Sequence, residues 1–205
     1  MNRFLNLFCI VCFFLSGCGY RFDGARASNA ETISVPYVVG DPEGMLTDEL
    51  VRQLSASGRY RFVQGEGKYT LNVVVISDSN EKIGYRYDRK ETGKLEKNLI
   101  PTESRRALSA EVSLLDNTTD AIVVGPIVIS ANSEYDYINS SSLRELGFRE
   151  VDGRKERVIH FSLGQLDSIE GASDAVLTPL YRRLAQKIVD GISLSLNEIS
   201  DEFAE

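Results

Sequence analysis

The chain of 205 residues is 42% hydrophobic and 26% charged, ordinary for a folded domain, and this composition excludes a coiled coil or a disordered chain. Twenty-three Lys and Arg stand against 30 Asp and Glu, a net charge of −7. That balance sets aside a nucleic-acid partner, whose phosphates attract the opposite sign.

The first element in chain order is a targeting segment. Met1-Asn2-Arg3 is a short basic start, and Phe4 to Leu15 is an apolar run interrupted only by Asn6. Twelve helical residues reach about 18 Å, well short of the roughly 30 Å of a bilayer's hydrocarbon core. The run therefore fits a signal-peptide core and not a spanning helix. Leu15-Ser16-Gly17-Cys18 follows it and resembles the bacterial lipobox, in which cleavage falls before the Cys. On that resemblance residues 1–17 are a lipoprotein signal peptide, Cys18 is the lipidation site and 18–30 are a lipidated tether. The implied modification is a diacylglycerol on the sulfur and an acyl chain on the amine, with no other cofactor. Each buried methylene contributes about 0.8 kcal/mol, so such a residue anchors a chain that does not cross the membrane. Gly19, where inner-membrane lipoproteins of enteric type carry Asp, implies the outer membrane. Cys9 and Cys12 have redox-like spacing, but they lie within the run that cleavage removes.

Beyond the tether, Thr32 to Val39 is β-branched and predicts a strand, with Pro36 placing it at an edge or a bulge. Asp41-Pro42 predicts a helix start, with Asp41 as cap. Leu46, Leu50 and Leu54 recur at helical spacing, and Gly58 marks the stop. Strands resume after it, with Tyr60 to Val63 and Gln64 to Gly67 as a lead-in to the β-branched run Tyr69 to Ser77. In 107–115, Leu108, Ala110, Val112 and Leu114 alternate with Ser109, Glu111 and Ser113, so one face is buried and one wet. Asp116 to Asp120 is a polar turn. Ala121 to Ser130 is apolar on both faces, which predicts a well-covered strand with a bulge at Gly125-Pro126. Leu180, Leu184, Ile188, Ile192 and Ile199 trace one stripe of a closing helix over about 179–199, with Thr178 as its cap. The expectation is α+β: a two-layer sandwich with a roughly four-stranded mixed sheet, ordered β-α-β-β-β-α, and two helices on one face. Residues 31–205 form a single domain, with polar excursions near 80–104 and 139–174.

This order of elements resembles the LPS-assembly outer-membrane lipoprotein family (LptE-like). The resemblance rests on Leu15-Ser16-Gly17-Cys18-Gly19-Tyr20-Arg21-Phe22 directly before the first strand. It rests also on Gly40-Asp41-Pro42-Glu43-Gly44 ahead of the Leu46/Leu50/Leu54 helix, and on Tyr135 and Tyr137 before the closing helix. It implies an outer-membrane, lipid-anchored protein on the periplasmic side or in a barrel lumen. Such a protein plugs and helps assemble a large outer-membrane β-barrel that exports lipopolysaccharide to the outer leaflet, and performs no bond chemistry. A pilotin or envelope-scaffold lipoprotein serving another outer-membrane complex is the alternative.

One segment could meet an anion. Between residues 81 and 106 eight cations, among them Arg86, Arg89, Lys90, Lys94 and Lys97, face five acids and leave +3 in an acidic chain. With Tyr85 and Tyr87 interleaved, these five cations are the candidate contact for lipopolysaccharide phosphates and sugars; a solvated hairpin with cations guarding its strand edges gives the same pattern. No metal site is expected, since His160 has no paired His or Cys at ligand spacing. Ser140 to Ser142 lack a neighbouring base, Gly65-Glu66-Gly67 is too short to cradle phosphate, and Glu134 and Asp136 read as solvated strand positions, so no catalytic residue is assigned.

Overall fold

The computed structural model describes residues 30–89, 94–139, 147–149, 151–157 and 168–202. The signal segment, Cys18 and nearly all of the tether lie outside the described residues. The elements are β1 (Glu31–Ser34), α1 (Met45–Ala56), β2 (Tyr60–Phe62), β3 (Tyr69–Arg89), β4 (Leu95–Asp116), β5 (Ala121–Asp136), β6 (Gly147–Arg149), β7 (Lys155–Arg157), α2 (Ile169–Ala175) and α3 (Leu177–Glu202). Five strands form one sheet in the order β2-β1-β3-β4-β5, and β6 and β7 pair separately. β1 runs parallel to both neighbours, whereas β3, β4 and β5 form an antiparallel meander. The expected α+β sandwich is the observed one. Its fifth strand is β2, which lies beside β1 through the pairs Glu31–Tyr60 and Ile33–Phe62.

Helix α1 begins three residues later than Pro42 predicts, with Gly44 and not Asp41 at its N-cap, but the Asp41 side chain still reaches the first turn. Its carboxylate accepts from the Thr47 amide at 2.9 Å and from the Thr47 hydroxyl at 3.0 Å, satisfying a donor that the first helical turn leaves open. Gly58, at φ +65°, follows the C-cap Ser57 and supplies the left-handed residue that ends the helix. Leu46, Leu50 and Leu54 are fully buried. Glu49, 6% exposed, lies 3.1 Å from Arg52 and 3.6 Å from Arg182 of α3. This carboxylate ties the two helices together and keeps its charge partnered.

Helix α3 starts directly after α2, so the cap of this helical end is Ser168 and not Thr178. The Ser168 hydroxyl accepts from the Gly171 amide at 3.2 Å. Leu180, Leu184, Ile188 and Ile192 are all 0% exposed and form one core with Leu71, Val73, Leu108, Ala110, Val112 and Leu114 of the sheet. Burying each such Leu or Ile contributes about 1.5–3 kcal/mol, so the layer contact is set by the two periodicities of 3.6 and 2. Ile199 is helical, but its side chain lies outside the described set.

Two sequence expectations are corrected. β5 is not covered on both faces, since Ile122 is 57% and Val128 60% exposed. The helices occupy one side of the sheet, and among the described residues nothing covers the other. There Val39, Val74, Glu111 and Val128 follow one another across four chain segments. The stretch at 80–104 is no loop excursion either, because residues 80–89 and 95–104 continue β3 and β4 outward as paired strands. Beyond the helix layer the ribbon buries scattered positions, Ile100 at 4% and Asp88 at 9% exposure among them, and lacks the sustained apolar alternation by which a strand is recognised. Of 139–174, the β6/β7 hairpin and the start of α2 are described.

Candidate functional site

The candidate cations belong to the outer end of the β3–β4 hairpin. β5 accompanies β4 only as far as the pair Glu103–Asp136, followed by bonds from the Tyr137 amide to the Thr102 carbonyl at 3.0 Å and from the Asn139 side chain to the Pro101 carbonyl at 3.3 Å. Beyond that point β3 and β4 run on as two strands. Tyr85 lies opposite Pro101, Arg86 opposite Ile100, Tyr87 opposite Leu99 and Arg89 opposite Leu95. The register slips between Tyr87 and Arg89, where β4 inserts Glu96, Lys97 and Asn98 against Asp88 alone. Such an insertion re-aims side chains at a strand end.

Of the five predicted contacts, Lys94 and Lys97 are exposed on this end, while Arg86 is half-buried and engaged within the fold. Arg89 ends β3, with its side chain outside the described set, and Lys90 lies outside the described residues. The structure thus brings Arg86, Lys94 and Lys97 onto one ribbon. It also removes two arginines from the local excess. Arg105 donates to Glu134 at 2.7 and 3.1 Å. Arg106 donates to Asp78 at 2.7 and 3.0 Å and to the Ser173 carbonyl at 3.0 Å. These hydrogen bonds to Glu134 and Asp78 are also the leading causes that hold both guanidinium groups above their ordinary value.

Sequence reasoning missed Leu95 and Leu99, each 55% exposed, beside Tyr85 at 55% and Tyr87 at 54%. No local pattern sets Leu99 opposite Tyr87, because that pairing depends on the three-against-one insertion at Asp88.

At the root of the ribbon, Tyr135 and Tyr137 stand 6.0 Å apart, tilted by 44°. They form a second small core with Ala172, Val176 and Ile169, and Asn80 donates to the Tyr135 hydroxyl. This pair seats α2 on the sheet. A cleft of about 220 Å³ beside it is lined by Lys82, Tyr137, Asn139, Ser168, Ile169 and Glu170, smaller than the roughly 300 Å³ at which ligand pockets begin. Among the described residues no group of three or more His, Cys, Asp or Glu is placed to hold a metal ion, and His160 lies outside them. No described helix is long and apolar enough to cross a membrane.

The described residues thus form a two-layer α+β domain with a projecting two-stranded ribbon. A family model described as LptE, lipopolysaccharide-assembly, matches residues 30–192, and the chain belongs to that family. Comparison with curated proteins gives no match. Among solved structures the chain is similar to a minor lipoprotein from Acinetobacter baumannii, at 14% identity and TM-score 0.45, over 82% of this chain and 92% of that one. It is also similar to rare lipoprotein B from Shewanella oneidensis, at 11% identity and TM-score 0.47, over 82% and 98% of the two chains.

Proposed function

We propose that the protein is an outer-membrane lipoprotein, lipidated at Cys18, that plugs and helps assemble the β-barrel through which lipopolysaccharide reaches the outer leaflet. The observation that carries this reading is the family match over residues 30–192, which spans the whole sheet and most of α3. The partner is a large outer-membrane β-barrel, and the role is binding, without catalysis. A barrel lumen is polar, and the outward side of α3 offers exposed Arg182, Arg183, Gln186 and Lys187. The uncovered sheet face, with Val39 at 61% and Val128 at 60% exposed, is surface that a partner would bury. Of the candidate cations Arg86, Arg89, Lys90, Lys94 and Lys97, the exposed Lys94 and Lys97 are the ones placed to meet lipopolysaccharide phosphates.

Depletion tests the reading directly. The barrel is expected to co-purify with this protein from native envelopes, and in depleted cells it should fail to mature while surface lipopolysaccharide falls. A fully assembled barrel with surface lipopolysaccharide unchanged, or co-purification with a secretin instead, would overturn it. Lipidation has its own test: Cys18→Ala should leave the melting temperature of the domain unchanged and release it from membranes lacking the barrel. Retention on such membranes would show that Cys18 is not the anchor.

A further inference from the structure

We propose that the outer end of the β3–β4 ribbon is a membrane-contact element that seats in the headgroup layer of a bilayer carrying anionic phospholipid. The inference stands on the side chains of the ribbon and is independent of the barrel reading. Four large side chains, Tyr85, Tyr87, Leu95 and Leu99, are each more than half exposed there, with Tyr85, Tyr87 and Leu99 placed by register on one face. Lys94 and Lys97 are exposed beside them, whereas the two described acids of this end are turned in, Asp88 at 9% exposure and Glu96 half-buried. In a chain of net charge −7, this end thus presents Lys94, Lys97 and four large side chains outward, while Arg86 and the two described acids are held further in.

That sorting matches the membrane interface better than a protein surface. Tyr rings settle at the headgroup level, Leu enters the acyl boundary, and Lys stems lie along apolar surface with the ammonium in the phosphate layer. Lys is depleted from protein interfaces. A negative lipid surface attracts such cations and would repel the remainder of this acidic chain, so the contact is confined to the ribbon end.

The placement is distinctive. The ribbon end lies 20 residues along β3 from Tyr69, near which β1 pairs, or about 66 Å at strand rise. The stretch from Cys18 to Glu31 spans at most about 45 Å. With Cys18 lipidated, as proposed above, the ribbon end is a second attachment point remote from the first.

The test uses the chain from residue 18 carrying Cys18→Ala, so that neither the apolar signal run nor an acyl chain contributes. Sedimentation with vesicles of phosphatidylcholine mixed with phosphatidylglycerol is compared with vesicles of pure phosphatidylcholine. Binding is expected on the mixed vesicles, and Lys94→Glu with Lys97→Glu should reduce it about tenfold or more. Tyr87→Ser with Leu99→Ser should reduce it comparably without changing the melting temperature. The chain has no Trp, so Leu99→Trp gives a single reporter in an otherwise intact ribbon, and its emission should shift to the blue on the mixed vesicles. Absence of binding, equal binding by the substituted chains, or an unshifted Leu99→Trp spectrum overturns the proposal. Binding confined to vesicles containing lipopolysaccharide also overturns it, leaving only the saccharide-phosphate contact.

Discussion

Gly125→Ala is expected to lower the unfolding free energy by about 3–5 kcal/mol, a large share of the roughly 5–15 kcal/mol available to a domain. Gly125 has φ +88°, and a Cβ there would stand 2.4 Å from the Val112 carbonyl oxygen and 3.1 Å from the Ile127 amide nitrogen. The left-handed backbone alone costs an L-residue about 1–2 kcal/mol. The overlap adds more because both obstructing atoms are main chain. Val112 is fully buried in β4, and moving its carbonyl would disturb the pairing of β4 with β5. Gly58→Ala is the control: φ is +65°, but nothing lies within 4 Å of the added Cβ, so only the left-handed backbone cost of about 1–2 kcal/mol is expected. Urea unfolding of both variants checks the contrast. A loss below about 1 kcal/mol at Gly125 would mean that β5 can slide past the obstruction.

Leu184→Ala is expected to cost about 2–5 kcal/mol, since Leu184 is 0% exposed and the packed layers can close only part of the cavity. For a domain of this size that corresponds to a fall in melting temperature of roughly 10 °C. Leu194, on the same helix but 65% exposed, should change stability by no more than about 0.5 kcal/mol when replaced by Ala. Equal effects at the two positions would show that α3 does not bury the stripe described above.

The contrast between Leu184 and Leu194 also shows what is legible in this sequence. The buried faces of α1 and α3 follow from their helical spacing, and the buried face of β4 from its alternation, because each element has one dry side and one wet side. Three features escape that logic. The outer ribbon buries scattered positions such as Asp88, Ile100 and Ser104 without a sustained alternation, so residues 80–104 read as a polar excursion. Ile122 and Val128 are apolar yet exposed, so β5 reads as doubly covered. Tyr60–Phe62 is too short for a pattern of its own, and only β1 alongside makes it part of the sheet. For the candidate site, Tyr85, Tyr87, Lys94 and Lys97 could be read as one group from the sequence. The inward turn of Asp88 and the outward Leu95 and Leu99 depend on the register slip between Tyr87 and Arg89, which no local pattern announces.

The outer edge of β5 carries main-chain carbonyls that could recruit another strand. Arg183 donates to the Asn132 carbonyl at 2.6 Å and Lys187 to the Ser130 carbonyl at 2.8 Å, so α3 closes this part of the edge with its own cations. These donors come from the end of the chain, whereas β5 is complete at Asp136, some 40 residues earlier in synthesis. A chain that emerges N-terminus first therefore forms its meander with this edge open and seals it only when the last helix arrives. The interval between those two events is when the protein is most exposed to pairing with the wrong strand, and the final helix acts as a clock that ends it.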